Sequence, residues 1–257
     1  MANANNDNGV KIRRIGAFAI ILIIVVVGSA LFFISGSRSK TGTTGGSLVS
    51  PTEKKATPTP SPTATLLAKP LFFDDFTDAS KGWYLGNVSG YKRVITNNTL
   101  ILADVNHNIL TESFPTNTTF DNFKITLTFT LLKANADDSA GLYLRGDSNL
   151  DHDYRIDIYG NSTYAISKEY LDVDKFPQVQ FLVTPTRTTV LKPVGLQNTL
   201  TVMMKGAKLV LLVNGVVINA VTDTSYTSGQ LALFVQNSAA SSGVEASFSK
   251  VIVYPAP

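Results

Sequence analysis

A few short stretches hold the residues whose types and spacing could do chemistry. Residues 71–87 read LFFDDFTDASKGWYLGN, with Asp74, Asp75 and Asp78 ahead of Trp83, the only tryptophan in the chain. Clustered carboxylates can supply oxygen ligands to calcium, although this spacing is not that of an EF-hand loop. At turns the same residues accept backbone N–H bonds instead. Trp83 and Tyr84 offer flat apolar rings for stacking on sugars, but a tryptophan just after a first strand is more often a core plug. A second acidic loop, GDSNLDHDY, places Asp147, Asp151 and Asp153 around His152. No G-x-S-x-G elbow accompanies that histidine, and an exposed loop residue is the expectation.

Further along, Tyr143 and Arg145 alternate with Leu142 and Leu144. With Arg155, Asp157, Tyr159, Tyr164 and Lys168 they are expected to form a polar and aromatic patch on one sheet. Such a patch suits hydroxyl-rich ligands, because Arg forks make paired hydrogen bonds. The alternative is an ordinary solvated sheet face with cross-strand pairs. Asn87, Asn97, Asn117 and Asn161 fit N-x-[ST], which matters only where the host glycosylates exported proteins. Cysteine is absent and only His107 and His152 are present, which excludes disulfides, thiolate sites and a multi-histidine zinc centre.

The elements that must position these residues read as strands. Residues 71–76, 99–104, 123–132, 140–146, 153–159, 163–169, 179–183, 199–205, 208–213, 216–221, 230–236 and 245–254 are β-branched and aromatic segments set between turn residues. None of them shows a sustained helical period, so a sandwich or barrel is expected. Asn214-Gly215, between KLVLLV and VVINAV, is a type I′ hairpin signal. A second hairpin is expected around Gly160-Asn161. Alternation along DYRIDIY puts Tyr154, Ile156 and Ile158 on a core face and Arg155, Asp157 and Tyr159 on an exposed one.

The first third of the chain has a different character. Residues 1–69 carry eight Lys/Arg against Asp7 and Glu53, whereas residues 70–257 carry fourteen against seventeen acidic residues. The basic balance therefore belongs to the N-terminal third, and the C-terminal part lacks the positive excess of a nucleic-acid binder. Residues 15–34, IGAFAIILIIVVVGSALFFI, are uncharged and long enough, at ~1.5 Å per residue, to span a bilayer. Lys11, Arg13 and Arg14 before the span favour a cytoplasmic tail over residues 1–14 and an exported C-terminus. A cleaved signal peptide is the rival reading, with Gly28-Ser29-Ala30 at the cleavage point. Residues 35–69 are rich in Gly, Ser, Thr and Pro, a stalk composition that cannot bury a core. Residues 70–257 then form the exported domain.

The order of segments DDFTDASKGW, AGLYLRGD, DYRIDIYGNSTYAISK, NTLTVMMKGAKLVLLVNGVVI, DTSYTSGQLALFV and ASFSKVIVY resembles the concanavalin A-like lectin and glucanase sandwiches. It is most similar to the family 16 glycoside hydrolase-like, or 3-keto-disaccharide hydrolase-like, branch. The resemblance implies an all-β jelly-roll of two antiparallel sheets, one of them used for glycans. The Glu-x-Asp-x-Glu signature of family 16 glucanases is missing. The nearest stretch, Glu169 to Asp174, has no second glutamate and reads as a polar loop leaving a strand. A membrane-anchored, non-catalytic module binding a glycan or cell-envelope polymer is the leading expectation. A sugar hydrolase or lyase using Arg145, Asp157 and Lys168, and a protein-binding adhesion module, are the alternatives.

Overall fold

The computed structural model describes residues 12–13 and 69–257. The expected span, most of the tail and nearly all of the linker lie outside the described residues. Among those described, no helix is long and apolar enough to cross a membrane. The chain begins with β1 (Ile12–Arg13), β2 (Phe72–Asp74), a single 3-10 turn (Ala79–Lys81), β3 (Gly86–Val88), β4 (Tyr91–Thr96) and β5 (Thr99–Asp104). Next come β6 (Ile109–Ser113), β7 (Phe123–Lys133), β8 (Ser139–Gly146), β9 (Asp153–Tyr159), β10 (Thr163–Leu171) and β11 (Pro177–Arg187). The last are β12 (Asn198–Lys205), β13 (Lys208–Val213), β14 (Val216–Thr222), β15 (Gln230–Gln236) and β16 (Val244–Pro255).

These strands form two antiparallel sheets. One has seven strands in the order β1-β6-β15-β8-β9-β10-β11; the other has nine, ordered β14-β13-β12-β7-β16-β5-β4-β3, with β2 pairing β16. Period-two alternation turns one side of each sheet inward. Leu142, Leu144, Ile156, Ile158, Leu231 and Leu233 from the first sheet meet Ile125, Leu127, Phe129, Leu200, Val202 and Phe248 from the second, all buried. The jelly-roll-like sandwich expected from the sequence is present.

Turn chemistry sets the registers. Asn214 and Gly215 have φ of 49° and 82°, the left-handed pair a type I′ turn requires, and join β13 to β14. The β9–β10 hairpin turns through Gly160, Asn161 and Ser162, pairing Tyr164 with Ile158. Three strands of the domain, β3, β4 and β6, fall where the sequence reading expected none. Their inward positions include Arg93 and Glu112, which break the apolar alternation that marks a strand.

Candidate functional site

The acidic stretch at the domain's start is structural. Asp74 is fully buried, accepts the Phe76 amide at 2.8 Å and the Trp83 indole N–H at 2.6 Å, and pairs with Lys81 at 3.2 Å. Trp83 is buried against Phe72, Phe76 and Phe114, so it is the core plug and leaves Tyr84 as the exposed ring. Asp75 accepts the Thr77 amide and hydroxyl. Asp78 caps the 3-10 turn through the Ser80 amide and hydroxyl. The hydrogen bonds to Thr77 and to Ser80 hold both carboxyls below their ordinary range. The three carboxylates have separate local partners. Among the described residues there is no group of three or more His, Asp or Glu that could hold a metal ion.

The outer face of the seven-stranded sheet holds the charged constellation. Arg155 projects from β9 and donates to Asp157 at 2.5 Å, to Glu169 on β10 at 3.1 Å and to the Gln236 side chain on β15. Asp157 also accepts the Ser139 hydroxyl at 2.7 Å. The guanidinium lies 4.4 Å from the centre of the Phe234 ring and 5.7 Å from that of Tyr143, a cation–π arrangement. Burial opposes its charge, but Asp157, Tyr143 and Glu169 outweigh that and raise its pKa well above the ordinary value. Tyr159, beside this network, is pushed upward by burial and by Asp157.

Arg155 must cross β8 to reach Gln236, and Gly141 makes room. This residue pairs with Asp157 on one side and Phe234 on the other. A Cβ placed there would meet the Ile156 carbonyl oxygen at 1.8 Å and the Phe234 ring at 3.1 Å. The centre of the face is closed, with Arg155 6% and Asp157 2% exposed, so the expectation of a solvated patch is corrected. Two acidic side chains offset the burial of the cation. The β11 margin is open: Val179, which pairs with Glu169, and Phe181, which pairs with Ser167, are 54% and 47% exposed.

Of the seven patch residues expected from the sequence, Tyr143, Arg155, Asp157 and Tyr159 share this face. The other three do not. Tyr164 is buried in the core between the sheets. Lys168 pairs with Tyr154 in register and bonds Asp223 at 2.9 Å on that same inner side. Arg145, at φ 53° where the β8–β15 register shifts, donates to the carbonyls of Asp121, Gly206 and Tyr226. Arg145, Asp157 and Lys168 therefore do not converge. Glu169 ends the expected strand 163–169 and stands in β10, but the sequence reading left it out of the patch that it shares with Arg155; the turn beyond is made by Asp172, whose carboxylate accepts the Asp174 and Phe176 amides. His152 is a loop residue facing Asp147 at 3.1 Å.

Two antiparallel sheets with a charged, aromatic-flanked outer face define a concanavalin-like sandwich, and solved structures of that type match it. The carbohydrate-binding module CBM66 from Bacillus subtilis aligns with a TM-score of 0.51 at 14% identity, over 67% of this chain and 95% of its own. A Bacteroides ovatus mixed-linkage-glucan GH16 in complex with its G4G4G3G product aligns with a TM-score of 0.53 at 12% identity, over 71% and 99%. A protein of unknown function with a galectin-like fold from Bacillus subtilis gives 0.53 at 13% identity, over 74% and 98%. At these identities the likeness is one of fold. The chain belongs to the 3-keto-alpha-glucoside-1,2-lyase-like domain family, whose match spans residues 68–251. No curated protein matches it.

Proposed function

We propose that this protein is a membrane-anchored, extracytoplasmic module that binds carbohydrate through the outer face of the seven-stranded sheet and does not cleave it. The observation that carries this reading is the pairing of a fixed hydrogen-bonding centre with an open stacking margin. Arg155, Asp157 and Glu169 supply the centre, and Phe181 stands on the same face one strand beyond Glu169. Arg155 Nε is buried with no acceptor among the described residues. The carbohydrate-binding neighbour points the same way.

The absence of catalysis is argued from the carboxylates. A general acid or base must come within hydrogen-bond reach of the bond it acts on. Asp157 and Glu169 are buried, and each accepts a hydrogen bond from the Arg155 guanidinium. The family's lyase-like description favours the enzymatic reading, and the long unpaired edge of β11 favours a protein partner. If residues 15–34 anchor the chain with residues 1–14 in the cytoplasm, Ile12 and Arg13 lie across the membrane from β6 and their pairing with Leu110 and Ile109 does not persist there.

A glycan array of plant, fungal and bacterial polysaccharides, probed with the full-length chain, tests the reading. Saturable binding is expected, weakened about threefold to tenfold by Phe181→Ala, the value of one aromatic stacking contact. Turnover of a bound oligosaccharide to products supports the enzymatic reading instead. A protein co-purifying from membranes and not displaced by free sugars supports the adhesion reading.

A further inference from the structure

A separate cleft lies between the edges of the two sheets. Arg93 on β4 and Glu112 on β6 reach inward from opposite sheets and pair at 3.0 Å, with side chains 3% and 4% exposed. Glu112 also accepts the Tyr84 amide at 2.7 Å, and Arg93 donates to the Thr111 carbonyl at 3.1 Å. Above the pair, the Tyr84 ring centre is 5.5 Å from the guanidinium, and Tyr84 is 45% exposed. The space under this roof measures about 840 Å³ and is walled by Lys81, Thr111, Ser113, Asn117 and Gln230.

As a staple between sheet edges, the ion pair is an expensive choice. Well-packed apolar residues usually serve as well or better. It is also incomplete, because Arg93 Nη1 is buried with no acceptor among the described residues, an omission that costs about 1–3 kcal/mol. An acceptor brought by a ligand removes that cost.

The chemistry of the cleft selects the ligand. Lys81 is already paired with Asp74 and, once pH has risen past the range in which Glu112 holds a proton, Arg93 with Glu112, so the floor then has no surplus charge to attract an anion. What remains is an exposed aromatic ring, hydroxyls, two amides and the Arg93 Nη1 group, which has no acceptor among the described residues. Those groups match a neutral sugar, with an apolar face for the ring and hydroxyls for the rest. We propose that this cleft is a second carbohydrate site, taking a neutral sugar unit stacked on Tyr84, distinct from the Arg155 face.

The two places lie on different parts of the molecule. From β6 to β9 the sheet order passes through β15 and β8, three strand spacings or ~14 Å. A polymer occupying both gains avidity without new contacts.

The test is a titration of the full-length chain, in a detergent without a sugar headgroup, with neutral glucan and fructan trisaccharides. Two variants, Tyr84→Ala and Phe181→Ala, separate the sites; both side chains are exposed, and thermal melts of each variant confirm the fold. The expected result is two binding events for wild type, with Tyr84→Ala weakening one of them about threefold to tenfold and leaving the other intact. Wild-type affinities in Tyr84→Ala overturn the second site while leaving the sheet-face reading standing. A single event lost in Tyr84→Ala and untouched in Phe181→Ala supports the cleft and overturns the sheet face. No binding by any trisaccharide overturns the cleft proposal.

Discussion

Removing the Arg155 guanidinium would take the paired cation from Asp157 and Glu169, both buried and both directed at it. Breaking a buried ion network from one side costs about 3–5 kcal/mol, so Arg155→Ala is expected to lower the melting temperature by roughly 10 °C. A shift under 2 °C in a thermal melt contradicts that assignment. Glu112 gives a second expectation at this scale. Burial pushes its carboxyl up to about 7, against the opposing pull of the Tyr84 amide and Arg93, from an ordinary value of 4.5. The folded chain thus keeps a proton that the unfolded chain gives up at lower pH. That contribution to stability is complete below about 4.5 and is lost as pH rises through about 7. Melts from pH 4.5 to 7.5 should show wild type losing stability relative to Glu112→Gln; parallel curves contradict it. The placement of Tyr164 and Lys168 was legible and missed. Across a hairpin that pairs residue 164 with 158, even-numbered residues of both strands share a side, and that side is the core. By the same parity Glu169 stands with Arg155.

Strands whose inward positions are all apolar could be read from the sequence to the residue, as in Lys208–Val213 and Gln230–Gln236. Tyr91–Thr96 and Ile109–Ser113 could not, because each turns a charged residue inward at the sheet edges. No local pattern announces a salt bridge between residues nineteen apart on different strands, as Arg93 and Glu112 are here. The acidic opening stretch had the opposite difficulty: it looked like a metal site, and its carboxylates serve turns and an indole. At this scale the most demanding position is Gly141. Its missing side chain lets β8, β9 and β15 close up under Arg155, and Gly141→Ala would set a methyl 1.8 Å from a backbone oxygen. Neither that oxygen nor its strand is a flexible tip that can turn away. Gly141→Ala is expected to yield little folded protein, seen as loss of the cooperative melt, whereas a normal melt would show that the strands can part there.

At the scale of the whole molecule, the proposed span of residues 15–34 and the Pro- and Thr-rich residues 35–69 precede, in sequence, a sandwich with an open aromatic margin. If residues 15–34 anchor the chain, it stays with membranes through an alkaline carbonate wash, and protease added to intact cells releases the sandwich by cutting in residues 35–69. Release into the soluble fraction without protease contradicts the anchor. The central claim is that carbohydrate is held on the outer face of the seven-stranded sheet. Amide chemical-shift mapping of the isotope-labelled chain with an oligosaccharide that the array identifies tests it most directly. The expected result is a set of perturbations on β9, β10 and β11, centred on Arg155, Glu169 and Phe181 and saturating with the sugar. Perturbations confined to the nine-stranded sheet, or none at saturating sugar, contradict it.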